Sequence, residues 1–255
     1  MNQNEGNDYR RTNYGDYRYM ERDVADVREV NQATGARIFV NRVYNWMFCG
    51  LLVSTLVAWG VYQYIGGSKM RLEQLRSVAI PLIIFELILV FALSAGIRRI
   101  SAPVAGVFFV AYAAMNGVTL TPILLYYTES SVFLAFGSCA LMFAATSTFG
   151  YMTRMRLDTL GSYCMMGLIG IIVASIVNFF WANSVLDWVI TYVGIAIFVG
   201  LTAWDTQRVR MVGEAAGEEA QSDNMRKVAI VFALNLYLDF INLFLYLLRI
   251  FGNRR

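Results

Sequence analysis

The chain has 255 residues, 58% of them hydrophobic and 15% charged, with a formal net charge of +3. Soluble domains carry about 45–50% apolar and about 25% charged residues, so an ordinary water-soluble fold is excluded, and so slight an excess of positive charge gives no ground for a nucleic-acid partner. The apolar residues stand in long blocks, and about 20 helical residues cross a hydrocarbon core of about 30 Å.

Residues 1–42 differ from everything that follows. They hold seven basic and seven acidic residues and show neither the apolar core nor the cleavage pattern of a signal peptide. Asn, Tyr and Gly dominate the first half, including Tyr9, Tyr14, Tyr17 and Tyr19, which reads as a solvated, disordered tail. Met20–Arg42 has the makings of a short interfacial helix.

Seven spans are expected after the tail: Val43–Ile65, Val78–Ile97, Val104–Tyr127, Val132–Met152, Leu160–Trp181, Leu186–Trp204 and Val228–Leu248. They fill most of residues 43–252 and leave no room for a second domain, so the fold class is an all-α membrane protein, a seven-transmembrane-helix bundle. Turn signals separate them. A glycine pair follows the first span, Pro103 opens the third where a missing N–H costs little, and "YYTESS" is a tight turn between the third and fourth. The longest connection, 205–227, is charged. Its Glu214, Glu218 and Glu219 lack the alternating ligands and central glycine of an EF-hand loop and read as a solvated helix end.

Basic residues set the orientation. With the tail in the cytoplasm, the inner segments hold fifteen Lys and Arg and the outer ones six, with none in 128–131 or 182–185. The N-terminus is therefore expected inside, and seven crossings put the C-terminus outside. The basic ending "RIFGNRR" points the other way: a last segment that re-enters without crossing would leave both ends inside and six spans. Cys49, Cys139 and Cys164 lie in expected spans without a CxxC partner and read as packing residues. There is no histidine, so any proton chemistry near neutral pH falls to carboxyl groups.

Three acids stand in or at the ends of spans: Glu86 in the second, Asp205 at the cytoplasmic end of the sixth and Asp239 near the middle of the seventh. A fourth, Asp187, sits at an outer edge. A charge at the bilayer centre costs about 2.5–3.5 kcal/mol on insertion scales, so such residues face the bundle interior and find partners there. Asn235, Asp239 and Asn242 follow i, i+4, i+7 spacing, one polar stripe on an apolar helix that belongs inside the bundle. Either the asparagines bond neighbouring helices and Asp239 is merely tolerated, or Asp239 is functional. Pairing it with Asp205 requires the sixth helix to run on past its apolar part, or the seventh to start lower.

The segment "ALNLYLDFINLFLYLLRIFG", Ala233–Gly252, resembles the C-terminal signature of the Bax inhibitor-1 family, the transmembrane Bax inhibitor motif family, as found in its bacterial members. "TAWDTQRVR" is similar to the family's tyrosine–aspartate–threonine–glutamine pattern, with Trp204 where Tyr is usual. "NGVTLTPIL" and "FELILVFALSAGIRRI" resemble its third-helix and second-helix segments. The resemblance covers residues 43–252.

It implies a seven-helix bundle with the C-terminal helix at its centre. It also implies a pH-sensitive calcium leak channel or proton-coupled calcium transporter in a bacterial inner membrane. The family's aspartate dyad, which senses pH and lies on the cation pathway, falls on Asp205 and Asp239; its second-helix glutamate falls near Glu86. A pore-linked basic residue falls on Arg98 or Arg99. Asn235 and Asn242 support the stripe. Calcium takes oxygen ligands, which carboxylates at Asp205 and Asp239 supply, and two close carboxyls in a low dielectric compete for protons. No nucleotide loop, catalytic triad or zinc motif is present, so neither an enzyme nor a cofactor is expected; calcium is cargo. The expected partners are the lipid bilayer, calcium ions and protons. The alternative reading is a regulatory protein that binds a membrane protease or another membrane complex.

Overall fold

A computed structural model describes residues 5–65, 69–96 and 100–253. The described chain is helical throughout: α1 Glu5–Ile65, α2 Lys69–Gly96, α3 Ala102–Tyr126, α4 Glu129–Met152, α5 Asp158–Trp181, α6 Ser184–Ala216, a 3-10 turn Gly217–Gln221 and α7 Asp223–Phe251. Each break has a local cause. Pro103 stands at the first positions of α3. Asn183 caps α6 by accepting from the Val185 and Leu186 N–H groups at 2.9 and 3.1 Å. Ser222 caps α7 by accepting from Met225 N–H.

Two expectations change. Helix α1 starts at Glu5 and runs without a break into the first expected span. The charged connection expected over 205–227 is mostly helix: α6 continues to Ala216, and α7 begins at Asp223. Polar does not mean irregular here, because Gln, Arg, Met, Glu and Ala are good helix formers and carry α6 past its apolar part. It stops at Gly217, where φ is +48°, a conformation that suits glycine. Two of the glutamates of this segment have partners. Glu214 pairs with Arg210 at 3.4 Å, and Glu218 accepts from Asn31 at 2.7 Å.

The outside of the bundle is apolar: Phe133, Leu141, Phe179, Phe180 and Trp181 are each more than 75% exposed. Contiguous surface of this kind is tolerated only where lipid covers it, so the chain is an integral membrane protein. Among the described residues six helices are long and apolar enough to cross a bilayer. They are Val30–Ile65, α3, α4, α5, Ser184–Gln221 and α7; α2 contributes the shorter apolar stretch Pro81–Leu93. Helix α7 is the most enclosed. Two-thirds (67%) of its most apolar window is buried, against 17–39% in the other five, and Leu234, Leu236, Tyr237 and Leu243 are fully buried.

The helix ends sort into two groups. Arg42 donates to Ala220 O at 2.7 Å, and Gln207 bonds the α4–α5 connection. Those contacts gather α1 near residue 42, that connection and the start of α7 at one end. At the other, Thr128 N–H donates to Asn253 O at 3.1 Å, and Arg249 pairs with Asp187 at 3.0 Å. Helix α7 therefore runs the full length of the bundle and does not turn back.

Candidate functional site: buried carboxyls on helices α6 and α7

Asp205 is no helix-end charge. It lies eleven residues before the end of α6 and is 6% exposed. Asp239, on α7, is 5% exposed. Helix α6 packs against α7, so both buried acids lie on adjacent helices. No hydrogen bond joins them. Asp205 Oδ1 and Asp239 Oδ2 are both buried without a hydrogen-bond partner. A polar atom buried without a hydrogen bond costs about 1–3 kcal/mol, and more when charged.

Asp205 has a counter-charge. Arg208 Nη1 stands 3.6 Å from Asp205 Oδ1, one helical turn away. The guanidinium lies over the Trp204 ring at 4.6 Å and the Phe232 ring at 5.4 Å, which fixes its position between α6 and α7. Trp204 fits because Gly161 on α5 faces it: a Cβ at that position would lie 2.2 Å from the indole. Thr206 Oγ1 lies 3.3 Å from Tyr44 OH on α1. Gln207 accepts from Leu157 N–H at 2.8 Å and donates to Met155 O at 2.7 Å. The segment "WDTQR" thus locks α6 to α1, α5 and α7 on all sides of Asp205.

The other site candidates divide. Glu86 faces the bundle, 7% exposed. It accepts from Thr119 Oγ1 at 3.0 Å and lies 3.5 Å from Asn116 Nδ2. This is a separate cluster on α2 and α3, apart from the aspartates. Asn242 is half-buried and donates to Leu238 O of its own helix at 2.8 Å, so it does not bridge helices. Asn235 is half-buried. Arg98 and Arg99 lie outside the described residues. Sequence reasoning missed Arg208, although its i+3 spacing from Asp205 was visible, and Tyr237 with Ser54, which had no local signal.

A helical membrane protein with a buried aspartate on each of its last two helices is the class that fold and site define. A family profile described as "Inhibitor of apoptosis-promoting Bax1" matches residues 36–255, and the chain belongs to this family, the Bax inhibitor-1 family. It is 45% identical over 229 residues to "Inner membrane protein YbhL" of Escherichia coli K12, covering 89% of this chain and 96% of that one. It is 39% identical over 217 residues to a protein of Borreliella burgdorferi, covering 85% and 92%. To YrjE of Lactococcus lactis it is 36% identical over 222 residues, covering 87% and 93%.

Proposed function

We propose that this chain is a pH-sensitive calcium leak channel or proton-coupled calcium transporter, gated by Asp205 and Asp239. The bundle crosses the membrane seven times around a central α7, with the N-terminus in the cytoplasm. The membrane is a bacterial inner membrane, the location that the name of the E. coli relative gives for that protein. One observation carries the reading: two buried carboxyls on adjacent helices, each with an oxygen that accepts no hydrogen bond.

Calcium binds oxygen at about 2.3–2.6 Å and accepts a mixture of carboxylates and water. Among the described residues no group of three or more His, Cys, Asp or Glu converges. A cation at the dyad therefore keeps much of its water and is held loosely, as passage requires. Protons compete for the same oxygens, so cation binding weakens as pH falls. A protonated carboxyl needs no counter-ion and lets α6 and α7 stay closed on each other; two bare carboxylates must hydrate, separate or take up a cation.

The test is calcium uptake into proteoliposomes as a function of pH, for the wild type and the double Asp205→Asn, Asp239→Asn variant. Uptake that rises with pH and loses that dependence in the variant supports the reading. A flat wild-type profile, or a variant that keeps the profile, removes it.

A further inference from the structure

A cavity of about 660 Å³ opens between α1, α3, α4 and α7. Its lining comes from residues 51–63 of α1, 120–124 of α3, 129–136 of α4 and 240–244 of α7. These stretches all lie toward the end of the bundle where the α3–α4 connection meets Asn253, the outer end in the reading above. At its inner end the cavity is lined by Leu51 and Ser54 of α1. One helical turn further in stand Asn116 on α3 and Tyr237 on α7.

Ser54, Asn116 and Tyr237 are joined. Tyr237 OH donates to Asn116 Oδ1 at 2.9 Å and lies 2.6 Å from Ser54 Oγ. The phenol has one proton to give, and either hydroxyl can donate across the shorter contact. Ser54 Oγ also lies 2.7 Å from Ala113 O and 2.9 Å from Gly50 O, and it has a single proton for these contacts. Phe109 and Tyr112 meet the Tyr237 ring edge-on at 5.9 and 5.8 Å. Asn116 in turn faces Glu86. One fully buried phenol therefore ties α1, α3 and α7 together at the floor of the cavity, and through Asn116 it reaches α2.

We propose that Tyr237 is the outer gate of the path: its bridge from Ser54 to Asn116 seals the inner end of the cavity, and the path opens when that bridge parts. This inference rests on the conduction reading and adds to it a barrier in series with the carboxyl pair. Water and cations that enter the cavity from outside stop at this bridge. The seal is made by hydrogen bonds of a neutral phenol, so it is a positioning role, and its removal raises conduction without moving the pH response.

Two measurements test it. In calcium uptake at fixed pH, Tyr237→Phe keeps the ring and removes both bonds, and Ser54→Ala removes one. Uptake rises about fivefold to tenfold, the size expected from losing a net buried hydrogen bond, and the double variant exceeds Tyr237→Phe by little. The half-point on the pH axis stays where it is in the wild type, which a merely loosened fold would not preserve. In thiol labelling, with Cys49, Cys139 and Cys164 replaced by Ala, an impermeant reagent applied from the outer side labels Ala58→Cys in the cavity and leaves Ala113→Cys unlabelled. Adding Tyr237→Phe, or Ser54→Ala should the first variant fail to fold, makes Ala113→Cys reactive. Equal labelling of both cysteines with Tyr237 intact overturns the gate, as does Tyr237→Phe that changes neither labelling nor uptake. Wild-type protein without calcium uptake refutes the conduction reading, and labelling still decides the barrier.

Discussion

Removing the Arg208 guanidinium should shift the pH response of uptake upward by about one unit. Arg208 Nη1 is 3.6 Å from Asp205 Oδ1. At an effective dielectric of about 20, two unit charges at that distance attract by about 5 kcal/mol. The Arg208 side chain is 40% exposed, so water and salt screen most of this, leaving about 1–2 kcal/mol. One pH unit corresponds to about 1.4 kcal/mol. The sign follows from competition: guanidinium and proton are rivals for one carboxylate, and without the guanidinium the proton is displaced only at higher pH. The assay is calcium-dye uptake into proteoliposomes between about pH 5 and 8, comparing wild type, Arg208→Gln and Arg208→Lys. Lys keeps the charge but loses the planar stack on Trp204 and Phe232, so it should stay near the wild-type half-point while Gln moves. An unmoved half-point in well-folded Arg208→Gln refutes the reasoning. So does a Lys variant that shifts as far as Gln, since stacking rather than charge would then be responsible.

Single Asp205→Asn and Asp239→Asn variants should each flatten the pH dependence of uptake, and the double variant should add little, because the carboxyls act as one unit; effects that simply add would argue for independent sites. Gln207→Leu leaves Leu157 N–H and Met155 O without their partner, and about 1–3 kcal/mol per orphaned group should appear as a lower unfolding midpoint in detergent. Gly161→Ala drives a methyl into the Trp204 ring and should cost about 1–3 kcal/mol in the same measurement; an unchanged midpoint would mean that the indole has room to move. Cysteines placed at Ser130, Asn183 and Asn253 should all be labelled by an impermeant reagent from outside the cell, and labelling of Asn253 from the opposite side to the other two would contradict the helix ends described above.

Six long helices were legible because twenty apolar residues in a row have few other uses, whereas the second expected span, Val78–Ile97, meets only the shorter apolar stretch Pro81–Leu93. The acids were legible for the converse reason: a carboxylate is conspicuous in a run of Leu, Phe and Ile. The end of α6 was not. Hydropathy marks where a helix leaves lipid, and Asp205 looked terminal because the apolar run stops at Trp204, whereas α6 itself continues to Ala216. The partners were equally hidden. Ser54, Asn116 and Tyr237 are separated by 62 and 121 residues along the chain, and nothing in the local pattern of three ordinary polar side chains announces that they meet. Trp204 looked like a misfit to the family pattern until Gly161 was found opposite it.

The length of α6 has a mechanical consequence. Its 33 residues make a rod of about 50 Å, some 20 Å longer than a hydrocarbon core. The 3-10 turn that follows the rod is strapped to α1. A Cβ on Gly35 would fall 2.5 Å from Gly217 O, Asn31 holds Glu218 and Arg42 holds Ala220 O. A rotation of α6 that parts the two aspartates therefore cannot stay within the bilayer, because the strapped portion must swing with it. The joined ends of α1 and α6 form one arm, and a force on that arm is passed along α6 to Asp205.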